Sequence, residues 1–112
     1  MPEEKEVKLI TIEELLEMFV NNRKFKLVEV LSKESFQEGH IPGSINIPLD
    51  ELENVASAHL EKGDTIVVYC ASYACHASTE AARILLSKGY ESVLDFKAGK
   101  RGWVHAGLEL EK

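Results

Sequence analysis

The sequence predicts an α/β domain built on a mostly parallel sheet. Three observations carry that prediction. Short runs rich in Val, Leu and Ile alternate along the chain with segments whose apolar residues recur at helical spacing. The most apolar run, TIVVYC at residues 65–70, is nearly continuous, as a central parallel strand covered on both faces requires. The segments are separated by turn signals such as GHIPGS and EKGD.

Each element has its own justification. Residues 7–10 fit a short edge strand. TIEE, residues 11–14, is a capping box, with Thr11 as N-cap and Glu14 three residues on. The helix behind it places Ile12, Leu15, Leu16 and Phe19 on one face and ends near Asn21 and Asn22. KLVEVL, residues 26–31, reads as a strand, and Ser32 caps a helical turn to about Glu38. The loop 39–44 has Pro42 to fix φ and glycines on either side. SINIP is a short strand stopped by Pro48. Residues 49–59 form an amphipathic helix with Leu52, Val55 and Ala56 inward. Residues 77–88 form another, with Ala77, Ala81, Ile84 and Leu85 on one face and Gly89 as its C-cap. SVLDF, residues 92–96, is the last strand, and residues 102–106 close the chain as a short helix.

The chain has 112 residues, hydrophobic residues make up 45%, and the formal net charge is -6. That size suits one domain over residues 1–112, with 1–6 expected to fray. The acidic balance argues against a nucleic-acid partner, which wants a basic face. The only positive cluster, Lys97, Lys100 and Arg101, is small. No segment approaches the ~20 apolar residues that cross a bilayer, and the charged start lacks the apolar core of a signal peptide. The expectation is a cytoplasmic protein without a membrane partner. The four histidines are scattered and no C-x-x-C pair exists, so neither a metal nor another cofactor is expected.

The chemistry centres on CASYACHAS, residues 70–78, which holds both cysteines. In open parallel sheets, ligands bind at the carboxyl ends of the strands. Cys70 ends the most buried strand, and a helix starts a few residues later. Backbone N–H groups of Ala71, Ser72, Tyr73, Ala74, Cys75, His76 and Ala77 can form a cradle there, with the helix N-terminus adding about half a positive charge. Such a cradle favours a thiolate at Cys70 and holds an anion such as a persulfide. The competing reading is a small buried hydrophobe at a strand end.

Three segments carry a family resemblance. LVEVLSKESFQEGHIPGSINIPLDEL, residues 27–52, resembles the first signature of rhodanese domains. GDTIVVYC, residues 63–70, is similar to the strand bearing their catalytic cysteine. AARILLSKGYESVLDFKAGKRGWVHAGLELE, residues 81–111, looks like their closing stretch. The resemblance implies a three-layer α/β/α fold with a five-stranded parallel sheet and helices on both faces. It implies a sulfurtransferase in which Cys70 takes a sulfane sulfur from thiosulfate or a persulfide. A thiol or cyanide then accepts the sulfur from the Cys70 persulfide. Partners would be a small sulfur donor and a thiol acceptor, a protein sulfur carrier among the candidates. The resemblance also gives Glu29 and His40 supporting roles beside the site, His40 by ordering its loop.

The departures from the family pattern are as informative. The usual loop is C-x-x-x-x-R-S; here the fifth residue after Cys70 is Cys75 and the sixth is His76. Aligning Ser78 with the family Ser lengthens the loop by two residues and puts Ala77 where Arg belongs. The motif acid is Glu29 rather than Asp, its Arg is Leu31, and the glycine pair before Trp103 is Gly99 and Lys100. Without a loop Arg, thiosulfate should bind less well than a thiol persulfide. Phosphoryl transfer, which needs fixed charge on equatorial oxygens, is disfavoured. Cys75 is a candidate resolving thiol for Cys70, against the alternative that it fills space or mildly tunes the site. Tyr73 is a rim residue and Trp103 a packing anchor. Two other functions compete with the sulfurtransferase: a non-catalytic regulatory or binding module, and a Cys70/Cys75 dithiol redox protein.

Overall fold

The computed structural model describes residues 6–112. The expected frayed start therefore lies, apart from Glu6, outside the described residues. The elements alternate in the order β1 (Lys8–Leu9), α1 (Ile12–Val20), β2 (Lys26–Glu29), α2 (Lys33–Glu38), β3 (Ile45–Asn46), α3 (Leu49–His59), β4 (Thr65–Tyr69), α4 (Ala77–Ser87), β5 (Ser92–Phe96) and α5 (Gly99–His105). The strands form one five-stranded sheet, order β1-β5-β4-β2-β3. Every pairing in it is parallel. The most apolar strand, β4, sits at the centre, with Ile66, Val67, Val68 and Tyr69 all fully buried.

The helices divide between the two faces of the sheet. On one side, Leu52 and Ala56 of α3 and Ala81, Ala82 and Leu85 of α4 pack on Val28, Ile66, Val68 and Val93. On the other, Leu15 and Met18 of α1 and Trp103 of α5 pack on Leu27, Val67, Tyr69 and Phe96. This is the expected three-layer arrangement. Successive strand residues face opposite layers. Tyr69 therefore points toward α1 and α5, and Cys70 toward α3 and α4.

Local chemistry explains the helix starts. Thr11 and Glu14 exchange both capping-box hydrogen bonds, at 3.1 and 2.9 Å. Ser32 Oγ accepts from the Ser35 amide. Trp103 anchors α5 by stacking edge-on against Phe19 and donating from Nε1 to the Glu109 carbonyl.

β1, β3 and β4 are shorter than the sequence reading, β4 ending at Tyr69 rather than Cys70, and three further boundaries differ for reasons the contacts show. β2 stops at Glu29 rather than residue 31, because β3 is only two residues long. Past that point the Asn46 carboxamide replaces a strand neighbour and donates to the Glu29 and Leu31 carbonyls. α4 is capped by Lys88, with Gly89 the following residue at φ 98°. α5 begins at Gly99, three residues before the predicted start at Gly102, because carbonyls from the Cys70 loop receive its first amides.

Candidate functional site

The loop between β4 and α4 lies at the carboxyl edge of the central strand. Its floor is Cys70, the first residue past β4, which has no exposed surface. The Cys70 thiol donates toward the Cys75 carbonyl at 3.5 Å and the Ser78 hydroxyl at 3.6 Å. Cys75 closes a turn, its amide bonded to the Ser72 carbonyl at 3.0 Å. Its own carbonyl accepts from Lys97 Nζ at 3.1 Å. Both thiols are free, Cys70 buried and Cys75 partly exposed.

The N-terminus of α4 explains why sulfur gathers here. His76 stands at the N-cap in helical conformation and contributes no side-chain cap. The first amides of α4 are therefore left for other acceptors. The Ala77 amide turns to the Cys75 sulfur and the Ser78 amide to that of Cys70.

The two thiols respond in opposite directions. Burial pushes the Cys70 thiol up, and the neighbouring Cys75 thiol adds to this. The Ser78 hydroxyl and amide offset only part. Burial also raises Cys75, but there it is outweighed. The Cys70 thiol, the Ala77 and Ala71 amides and the Lys97 charge together hold Cys75 below the ordinary thiol range. The lowering expected at Cys70 is therefore found at Cys75. The cause is directional: Cys70, the first residue past β4, faces into the α3/α4 layer, so its sulfur sits among apolar side chains. At neutral pH a small alkylating reagent should modify Cys75 at least about tenfold faster than Cys70. Mass mapping of partially alkylated protein reads this directly, and equal labelling would contradict it.

A second network, largely buried, braces the loop from the other face of the sheet. Tyr69 Oη donates to Glu29 Oε1 at 3.0 Å and accepts from the Ile41 amide at 3.1 Å. Ser44 Oγ lies 2.8 Å from the same hydroxyl. Glu29 Oε2 has the Lys100 ammonium, 3.2 Å away, as its partner, and Lys100 also donates to the Ser35 carbonyl at 2.8 Å. Burial holds the Glu29 carboxyl above the usual carboxylate range despite Lys100. Burial likewise raises the Tyr69 phenol well above its ordinary value. Glu29 thus supports the strand end without touching either cysteine.

The start of α5 completes the brace. The Lys100 and Arg101 amides donate to the Cys70 and Ala71 carbonyls at 3.0 and 2.9 Å. Gly99 makes that approach possible. It sits at φ 63°, and a Cβ there would lie 2.3 Å from the Cys70 carbonyl oxygen. His40 stacks on Phe36 at 3.8 Å, bonds its carbonyl through Nδ1, and pairs by backbone with Glu111. It orders the GHIPGS turn and lies outside the cysteine loop.

The loop residues divide in two. Cys70, Cys75 and the Ala71 and Ala77 amides converge on the sulfur atoms. Ser72, Tyr73 and Ala74 instead line an outward groove of about 420 Å³ with Arg101 and His105 of α5. Tyr73, 64% exposed, is its rim. Neither cysteine lines that groove. The sequence reading assigned no role to Ser78, Lys97 or Lys100. The cluster of Lys97, Lys100 and Arg101 was the available signal, since it brings positive charge to a loop that has no Arg.

Residues 11–106 match the rhodanese-like domain family. The chain belongs to that family, as a single α/β domain. Among curated relatives, it is 42% identical over 67 residues to the thiosulfate sulfurtransferase PspE of Escherichia coli, covering 59% of this chain and 62% of the relative. It is 40% identical over 86 residues to a HTH-type transcriptional regulator of Mycobacterium tuberculosis, covering 77% of this chain but 37% of the relative. This chain therefore spans less than two thirds of the length of either. The crystal structure of the Alr3790 protein from Anabaena superposes with a TM-score of 0.83 at 28% identity, covering 91% of this chain and 90% of that one. No helix among the described residues is long and apolar enough to cross a membrane.

Proposed function

We propose that this domain is a sulfurtransferase that carries sulfane sulfur as a cysteine persulfide on the loop between β4 and α4. The observation that carries the reading is the paired thiols at the uncapped start of α4, with amides of Ala71, Ala77 and Ser78 turned to sulfur. A persulfide anion needs such donors and no guanidinium. The family pattern puts the sulfur carrier in this loop, and the PspE likeness supports the same chemistry. Thiol persulfides suit the site better than thiosulfate, because its nearest cation, Lys97, is engaged with the Cys75 carbonyl. A thiol, free or on a protein sulfur carrier, would be the acceptor, and the groove beside Tyr73 is where its bearer would rest.

The test is sulfur uptake from glutathione persulfide, followed by intact-protein mass. The wild type should gain sulfur or be oxidised by it, and the variant Cys70→Ala/Cys75→Ser should do neither. Uptake by the double variant, or inertness of the wild type, defeats the reading. A regulatory module that has kept the fold would give the second result.

A further inference from the structure

The two thiols of the loop are not equivalent, and their arrangement assigns an order of events. Cys70 lies beneath the loop with no exposed surface, packed among Val28, Val30, Val68 and Ala81. Its thiol proton is already engaged by the Cys75 carbonyl and the Ser78 hydroxyl. A donor molecule arriving from solvent has no route to that sulfur without lifting the loop. Cys75 is partly exposed. Its backbone is fixed by the Ser72 carbonyl on one side and by Lys97 on the other. The Cys70 sulfur touches the Cys75 backbone itself, so a bond between the two sulfurs asks for side-chain rotation rather than loop rearrangement.

We infer that Cys75, not Cys70, receives the incoming sulfur, and that Cys70 then resolves it, releasing hydrosulfide and leaving a Cys70–Cys75 disulfide. This rests on the sulfurtransferase reading and gives it a direction. In the first step the Cys75 thiolate attacks the outer sulfur of R–S–SH. The S–S bond of the donor breaks, R–SH leaves with the proton, and Cys75 becomes a persulfide. In the second step Cys70 sulfur attacks the inner sulfur of that persulfide. The Cys75–S to outer-S bond breaks, and the Cys70 thiol proton departs on the leaving sulfur, which is released as hydrosulfide, HS⁻. The two cysteines have been oxidised by two electrons, and the sulfane sulfur reduced by two. A dithiol reductant regenerates the pair by exchange. In its presence the domain would turn a persulfide into a thiol and sulfide.

Ser78 fits the second step. Its hydroxyl and amide both face the Cys70 sulfur and stabilise the charge that builds there as the proton leaves. Sulfane sulfur taken at the loop surface is thus met from below by the buried Cys70 thiol.

The experiment treats the wild type, Cys70→Ala and Cys75→Ser with glutathione persulfide, and follows mass, released sulfide and peptide-level assignment. Alanine at position 70 keeps the apolar floor packed, and thermal melting confirms that each variant is folded. The wild type should end two hydrogens lighter, with an equivalent of sulfide released. Cys70→Ala should stop one sulfur atom heavier, the adduct on Cys75, with no sulfide until a thiol is added. Cys75→Ser should take up sulfur at least about tenfold more slowly. If Cys75→Ser instead forms a Cys70 persulfide at the wild-type rate, the order is wrong while the sulfurtransferase reading stands. A stable wild-type persulfide with no disulfide overturns the resolving step. Failure of all three proteins to take up sulfur removes the underlying reading, and this inference with it.

Discussion

Replacing Gly99 by alanine should cost this protein about 3 kcal/mol of stability and open its cysteine loop. The left-handed backbone at φ 63° alone costs a side-chain-bearing residue about 1 kcal/mol. Most of the cost is steric. The new methyl would sit 2.3 Å from the Cys70 oxygen and 2.9 Å from the Ala71 carbonyl carbon, and both neighbours are backbone. Neither can turn aside as a side chain would. α5 must draw back, and the amides of Lys100 and Arg101 then lose the carbonyls that hold them. Chemical denaturation reads the stability. Alkylation of Cys70 in the folded protein reads the opening, and it should quicken. A variant within about 0.5 kcal/mol of wild type, with Cys70 still protected, would show that the contact is not the clamp described here.

Lys100→Met should be nearly as costly at neutral pH, and its cost should depend on pH. Glu29 has no exposed surface, and Lys100 is the partner of its Oε2. Removing one member of a buried pair leaves an uncompensated charge, worth about 3 kcal/mol. In the wild type the Glu29 carboxyl already lies above its ordinary value of 4.5, because burial outweighs Lys100. The folded state therefore holds that proton more tightly than the unfolded chain does. The contribution of Glu29 to stability is greatest below pH 4.5 and declines as pH rises through its folded-state value. Without Lys100 that value rises further. The variant should lie close to wild type in acid, apart from the lost Ser35 bond, and fall away from it as pH rises past the raised folded-state value of the wild type. Adding Glu29→Gln to it should flatten the profile and recover part of the loss. A cost independent of pH would mean that Lys100 matters through packing of its stem alone.

Much of this architecture was legible in the sequence because its causes are local. Leu49–His59 and Ser92–Phe96 have the predicted bounds, each set by apolar periodicity and a turn on either side. The caps at Thr11 and Ser32 depend on residues three positions apart. The start of α5 was illegible for the converse reason. What stabilises its first turn is a pair of carbonyls thirty residues upstream. The site divides the same way. Placing the chemistry at the end of the most apolar strand needed only the topology rule for parallel sheets. Telling the two thiols apart needed the face toward which Cys70 points. A strand buried on both sides has no polar alternation to reveal that. Lys97 was equally hidden, since its reach to the Cys75 carbonyl crosses from one strand end to the next.

The outermost strands, Lys8–Leu9 and Ile45–Asn46, bear on how this domain meets other proteins. Two residues offer too few free backbone groups to template another strand. Neither flank therefore invites growth by strand addition, and a concentrated solution should resist fibre formation. A visiting polypeptide must instead rely on side-chain recognition at the loop end of the sheet. The domain can then be fused to, or crowded among, other folded units without its sheet becoming the glue.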